Sequence, residues 1–296
     1  MANSITLAEK FVPVIDDIYK RTSVTEGMDS ATQLDFTGVN EVKVLKVSTT
    51  GLGDYSREDG YPKGDVTASW ETMTLSEERG KEISIDRMDN EETLGMTFGA
   101  VTGRFVRDWV SPELDAYRFA KYASATGILT TTAAKLAKDS ILAAIDEGCR
   151  AMDEKEVPVE GRRLYVSSDL KPVLNSALSR QWGSDGTVNT VLAGYNDMPI
   201  TYVPKSRFYT QITLNDGKTA WGYAKTATTG ADINFMIIQP DAILQVTKFA
   251  LPKIFDPDTN QDKDAWKFQF RLYHDAFVYE NKASGIYLHK APAATG

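Results

Sequence analysis

The residue types that carry out chemistry are present in this chain, but their spacing suits no reaction. The nearest approach to a metal loop is Asp256-x-Asp258-x-Asn260, which copies the first half of an EF-hand calcium loop. The glycine due at the sixth position is Gln261, and the glutamate due at the twelfth is Lys267. Asp, Asn and Pro are also what a turn between strands uses, and these residues are read as such a turn. Thr50-Gly51-Leu52-Gly53-Asp54-Tyr55-Ser56 has two glycines in dinucleotide spacing, yet Ser56 stands in place of the third and no helical pattern follows. The Gly-Lys-Ser or Gly-Lys-Thr of a P-loop is absent. His274 and His289, with Cys149 as the single cysteine, cannot assemble a His-based zinc site. A Ser-His-Asp relay lacks its G-x-S-x-G nucleophile, and Asp275 is expected on the opposite strand face from His274. Cys149 falls on an apolar helical stripe and reads as an inert core thiol. Glu77, Glu78, Glu91 and Glu92 read as a solvated face or a helix N-terminus, with Glu91 and Glu92 opening a long helix. No catalytic residue, cofactor or metal is assigned.

The 296 residues can bury a substantial core, as one large domain or two moderate ones. Apolar residues make up 42% and charged residues 25%, the balance of an ordinary globular protein. No run approaches the roughly 18 uninterrupted apolar residues of a membrane span. The opening MANSITLAEKF lacks the basic-then-apolar pattern of a secretory signal. A single cysteine rules out an intramolecular disulfide framework and fits a reducing compartment. The net charge is −8, and Lys and Arg are interleaved with acids. A basic stripe for gripping phosphates is missing, which argues against sequence-specific nucleic-acid binding but not against loose apposition to packaged nucleic acid.

Residues 1–36 are polar and poorly periodic around one apolar knot, Phe11, Val12, Val14, Ile15, Ile18 and Tyr19. Pro13 lies inside that knot, so a short helix in an extended arm is expected. VKVLKVSTT then alternates as a strand, GLGDYSREDGYPKGD reads as a long flexible loop, and VTASWETMTLS and GKEISIDRM alternate again. The pattern predicts a long hairpin with a charged tip. A two-stranded ribbon is marginal in water by itself, so this one needs another surface, and a second copy of the chain is the simplest candidate.

Over residues 91–124, Leu94, Phe98, Val101, Phe105 and Trp109 form one apolar helical stripe. Ser111-Pro112-Glu113 supplies an N-cap, a first-turn proline and an early acid, which predicts a second helix kinked from the first. Gly95, Gly99 and Gly103 repeat on one face and imply close packing there. A further amphipathic helix is expected from Thr132 to Met152, then a strand at RRLYVSS, a helix at SDLKPVLNSAL despite Pro172, and a surface loop at QWGSDGTVN. MPITYVP, TAWGYA and INFMIIQP read as short strands. AILQVTKFALPKIF and AWKFQFRLYHDAFVYE read as two longer ones joined by DPDTNQDKD, before a last strand GIYLHK. This order is α+β rather than the regular alternation of a doubly wound sheet.

The arm, the long hairpin, the helix with its Pro-Glu step in VSPELDAYRFAKYA, and the ending PKIFDPDTNQDKDAWKFQFRLYHDAFVYENKASGIYLHK together resemble tailed-bacteriophage major capsid proteins of the Hong Kong 97-type fold. The resemblance spans nearly the whole chain in order of elements and rests on the combination rather than on one motif. It implies an N-terminal arm at 1–36 and an extended loop at 37–90 lying over a neighbouring subunit. A peripheral domain would take 91–129 and 241–284, with the long helix as its spine, and an axial domain 130–240 and 285–296. Asp54, Tyr55, Arg57, Glu58, Asp59, Tyr61 and Lys63 at the loop tip become candidate intersubunit contacts, their charges setting register by complementary pairing. The implied partners are further copies of the chain in pentamers and hexamers, portal and scaffolding proteins, and double-stranded DNA touched non-specifically, with no membrane. The implied location is the virion, after assembly in the host cytoplasm. Some relatives carry a scaffolding extension ahead of the arm, so a separate scaffold or prior cleavage is expected here. Others cross-link through a loop lysine; Lys63 is the lysine nearest this tip, but the sequence identifies neither its partner nor a catalytic acid. An encapsulin-type nanocompartment shell shares the fold and is the alternative, told apart by its contents. An unrelated soluble enzyme is the alternative from another class, and would need a pocket of convergent titratable groups.

Overall fold

The computed structural model describes residues 23–28, 41–55, 57–58, 61, 63–92, 96–177, 181–182, 188–189 and 194–292. The apolar knot between Phe11 and Tyr19 lies outside them. The chain divides into two compact units, Ala31–Glu77 and Met1–Ser30 with Glu78–Gly296. In the smaller unit, β1 (Glu41–Thr49) and β2 (Val66–Thr74) form an antiparallel ribbon, in register from Glu41 opposite Thr74 to Thr49 opposite Val66. Both strands are rich in Val and Thr, whose branched Cβ favours the extended chain. The Thr50 N–H donates to the Asp65 carbonyl at 3.3 Å where the ladder gives way to the loop.

β3 (Glu77–Asp86), which the sequence pattern groups with this ribbon, pairs instead with a C-terminal strand of the larger unit. Its half-buried Ile83 and Ile85 alternate with exposed polar residues and supply one side of a core there. Asp86 then caps the next helix, accepting from the Met88 N–H at 2.9 Å. α1 (Arg87–Glu92) therefore starts before Glu91 and Glu92, which end that helical stretch rather than open it.

α2 (Met96–Phe105), a π-helical turn (Val106–Val110) and α3 (Ser111–Ser124) form one continuous helical run. Ser111 is not the predicted N-cap: it is helical, at φ −64° and ψ −42°, and its N–H donates to the Val106 carbonyl. The widened turn is the physical response to Pro112. A proline inside an α-helix offers no N–H and crowds the carbonyl four residues back, and a π turn opens the helix just ahead of it. The turn also inserts a residue into the apolar period. Trp109, expected on the stripe, is 52% exposed, while Val106, Val110 and Leu114 take the buried positions. Of the glycine ladder, Gly103 is buried and Gly95 lies outside the described residues.

β4 (Leu129–Thr130) follows, and the helix predicted from Thr132 starts only at Ile141. Three consecutive threonines favour an extended chain, and the Ala134 N–H donates to the Lys290 carbonyl at 3.2 Å instead of to a helical turn. α4 (Ile141–Asp153) buries Ile141, Ile145 and Met152 on one face. Its end is a Schellman motif. The Val157 N–H donates to the Met152 carbonyl, the Glu156 N–H to that of Asp153, and Glu156 sits at φ +56°.

Next come β5 (Arg163–Ser167) and α5 (Lys171–Ala177), whose Pro172 lies in the first turn, where no N–H is needed. The predicted surface loop contains a short ladder of β6 (Gln181–Trp182) with β7 (Val188–Asn189). β8 (Gly194–Tyr195) turns into β9 (Met198–Val203) through Asn196 and Asp197, both at positive φ, as a two-residue hairpin requires. β10 (Ile212–Leu214) and β11 (Tyr223–Lys225) make a small ribbon, followed by β12 (Ile233–Ile238), β13 (Ile243–Phe255), β14 (Ala265–Val278) and β15 (Ile286–Lys290).

Two sheets organise the larger unit. The first runs β4-β15-β12-β5-β9-β8, parallel between β4 and β15 and between β5 and β9. Its central strand β12 is buried on both sides, which explains why it is apolar except at Asn234. Phe235 and Ile237 pack with Ile141, Ile145 and Met152, while Met236 and Ile238 pack with Phe119, Tyr122 and Phe208. The second sheet runs β13-β14-β3. Phe268, Phe270 and Leu272 of β14 meet Val106, Val110 and Leu114, with Phe105 edge-on to both phenylalanines.

Candidate assembly interface

At the tip of the ribbon, Asp54, Tyr55, Arg57, Glu58, Tyr61 and Lys63 are all exposed, and Asp59 lies outside the described residues. Tyr55 and Tyr61 come together edge to face, with ring centroids 5.0 Å apart. They join the two sides of the loop through an aromatic contact that the sequence does not announce.

The shaft carries a feature that a strand-by-strand reading of the sequence misses. Register partners in an antiparallel pair share a face, so Leu45 with Trp70, Val47 with Ala68 and Thr49 with Val66 line one side. The opposite side holds Val44 with Glu71, Lys46 with Ser69 and Ser48 with Thr67, and at its base Val42 with Met73, both buried; Lys43 with Thr72 and Glu41 with Thr74 continue the first side there. On the first side Leu45, Val47, Val66 and Trp70 are 50%, 52%, 70% and 64% exposed. Over residues 45–49 and 66–70 the first side is therefore the more apolar one, and its large side chains are exposed. The signal was available in the alternation of Val66, Ala68 and Trp70, but reading it needs the register with β1.

The larger unit carries a concave surface of its own, a groove of about 580 Å³ walled by β3, the spine helices, the β10–β11 ribbon and β14. Arg79 fastens its walls, donating to Glu113 at 2.7 Å and to the Asn215 carbonyl at 2.7 Å. Lys81 Nζ lies 3.3 Å from the centre of the Trp221 ring, a cation–π contact. Trp221 is 56% exposed, as is about half of Trp109. The Trp109 ring lies against Gly222, where φ is +73° and an added Cβ would stand 3.2 Å from the ring. Glycine is required there both by the backbone and by the close approach.

The residues singled out for chemistry do not converge. Among the described residues, no group of three or more His, Cys, Asp or Glu side chains is arranged to hold a metal ion. Asp256 accepts from the Thr259 N–H of its own turn at 2.9 Å, Arg87 lies 3.1 Å from Asp258 and 3.4 Å from Asp264, and Lys267 lies 2.5 Å from Asp262. His274 is buried edge-on to Tyr117 at 5.1 Å. Burial chiefly, with Arg118 adding, drives its pKa down to about 3. Asp275, expected on the other strand face, also reaches Tyr117 and accepts from its hydroxyl at 2.7 Å. The ladder shifts register between Thr247 and Phe249, opposite His274 and Tyr273. His289 stacks on Phe235 at 5.0 Å and its Nδ1 accepts from Asn234 at 3.1 Å. Cys149 is half-buried, and burial raises its pKa, away from thiolate reactivity.

No family model and no curated protein matches the sequence. Solved structures do. The chain is similar to a structure from Mycobacterium phage Che8, with 15% identity, 85% of each chain covered and a TM-score of 0.62. It is similar to the bacteriophage PhiM1 mature capsid, with 12% identity, 92% of this chain and 87% of that one covered, and a TM-score of 0.59. It is also similar to the virus-like particle from Pyrococcus furiosus, with 11% identity, coverage of 95% and 98%, and a TM-score of 0.56. At these identities the likeness is one of fold. The chain has the α+β Hong Kong 97-type capsid fold.

Proposed function

We propose that this chain is the major capsid protein of a tailed bacteriophage, self-assembling into the icosahedral head shell around a DNA genome. The observation that carries this reading is a capsid fold bearing a ribbon whose more apolar side is exposed within the subunit. Four large apolar side chains on a narrow ribbon are what an interface core needs, and a second copy is the partner every assembling subunit meets. The groove around Trp109 and Trp221 is the candidate receptor, and the tip residues Asp54, Tyr55, Arg57, Glu58, Asp59, Tyr61 and Lys63 complete the contact at its rim. The role is structural rather than catalytic. The arm at 1–36, extended loop at 37–90, peripheral domain at 91–129 and 241–284, and axial domain at 130–240 and 285–296 are retained as functional divisions, with β3 serving the peripheral sheet. Pentamers and hexamers of the chain, a portal and a scaffold are the protein partners. Packaged double-stranded DNA meets the inner surface non-specifically, in a virion assembled in the host cytoplasm.

A cargo-holding nanocompartment is the second reading, favoured by the likeness to the Pyrococcus furiosus virus-like particle. Sedimentation of the purified full chain across concentration, with and without a crowding agent, tests the common core of both. Fast-sedimenting particles above a threshold concentration are expected. A monomer throughout, unassembled even with scaffold and with a protease-resistant ribbon, would overturn it. Nuclease-protected DNA inside the particles would select the phage shell, and protein cargo the nanocompartment.

A further inference from the structure

One carboxylate outside the assembly surfaces is more heavily engaged than a helix needs. Asp115, on α3, is fully buried. Its Oδ1 accepts from the Ser23 hydroxyl at 2.8 Å, the Thr25 hydroxyl at 2.7 Å and the Thr25 N–H at 3.3 Å. Its Oδ2 accepts from the Val24 N–H at 3.1 Å and from Arg207 at 3.1 Å. Arg118, one helical turn on, donates to the Thr25 hydroxyl at 2.8 Å. A buried carboxylate is tolerated when paired and surrounded by donors, and four of these donors come from three consecutive residues of the arm root.

Immediately beyond, a single 3₁₀ turn (Glu26–Met28) places Met28, 1% exposed, into the core with Phe119, Tyr122 and Phe208. The segment, described over residues 23–28, is thus held by a polar catch at one end and an apolar plug at the other. Arg207 brings a third segment, the turn after β9, to the same carboxylate.

We propose that Asp115 is a latch for the arm root, a positioning residue that fixes the point from which residues 1–22 run and couples it to the spine helix and to the Lys205–Arg207 turn. The latch belongs to the subunit, so it holds whichever shell the chain builds. Hydrogen exchange of the full-length protein tests it, comparing the native chain with Asp115→Asn and with Ser23→Ala/Thr25→Val. The double variant removes two of the arm's four bonds to Asp115, together with the bond from Arg118 to the Thr25 hydroxyl, while changing no residue of the spine. Exchange at residues 24–28 is expected to rise roughly tenfold or more in both, with β12 amides unchanged. If Asp115→Asn fails to fold, the double variant decides. Exchange at 24–28 within about twofold of the native chain, or an equal rise across β12, would overturn the latch.

Discussion

Replacing Trp70 with threonine separates the stability of the subunit from the strength of its assembly. Threonine keeps the β preference of the strand, and Trp70 is 64% exposed within the chain, so the folded subunit loses little. A surface change of this kind is worth within about 0.5 kcal/mol of folding stability. In the proposed assembly the same ring becomes buried against a neighbouring copy. A tryptophan buries up to about 250 Å², so an exposed share near two-thirds leaves roughly 160 Å² to be removed from water on docking. At about 25 cal/mol per Å² that is ~4 kcal/mol, less about 1 kcal/mol for ordering the side chain. A net loss of about 3 kcal/mol per contact corresponds to a rise of roughly 100-fold in the concentration at which particles form. Light scattering against concentration measures that threshold, and thermal unfolding of unassembled subunits serves as the control. Ser69→Ala, on the opposite side, is expected to change neither. A Trp70→Thr chain that assembles at the native concentration would refute the role of the apolar face.

Three further outcomes follow from the packing. His274 is held neutral, with its pKa pushed from 6.5 down to about 3 mainly by burial, while the unfolded chain takes up the proton near 6.5. Stability is therefore full above about pH 6.5 and is lost as pH falls toward 3, by about 2 kcal/mol at pH 5; His274→Gln should flatten this part of the profile in denaturant titrations. Glu156 occupies a left-handed position at φ +56°, so Glu156→Gly should stabilise the subunit by about 0.5–1 kcal/mol, read as a higher denaturation midpoint. Gly148 faces Tyr287, where a Cβ would stand 2.9 Å from the ring and 3.0 Å from Ile237 Cδ1; Gly148→Ala should cost about 1–3 kcal/mol despite its better helix propensity.

Much of the fold was legible from local patterns. The alternation in AWKFQFRLYHDAFV and the largely apolar INFMII yield β14 and β12 because these patterns are set by which strand faces are buried, and the Val-rich alternation of VKVLKVSTT yields β1 although Leu45 and Val47 are exposed within the chain. What escaped was non-local. The π turn before Pro112 moved Trp109 off the buried stripe, since a local backbone remedy changed the phase of everything around it. β3 left the ribbon because its isoleucines complete a core whose other half lies far along the chain, at Phe268 and Phe270. Ser111 and Thr132 carried cap and helix signals that a continuing helix and a sheet edge overrode. The candidate interface was half visible: charge drew attention to the tip, whereas the apolar face of the shaft emerges only when Trp70 is set opposite Leu45.

The central claim, that this chain builds a shell by laying its ribbon on a neighbour, is tested most directly by cryo-electron microscopy of particles formed by the purified protein. The expected result is a closed shell of hexamers and pentamers in which Leu45, Val47, Val66 and Trp70 of each subunit are buried against the next. Particles in which that face remains in solvent, or a chain that forms no closed or ring-like assembly under any scaffolding condition, would contradict it.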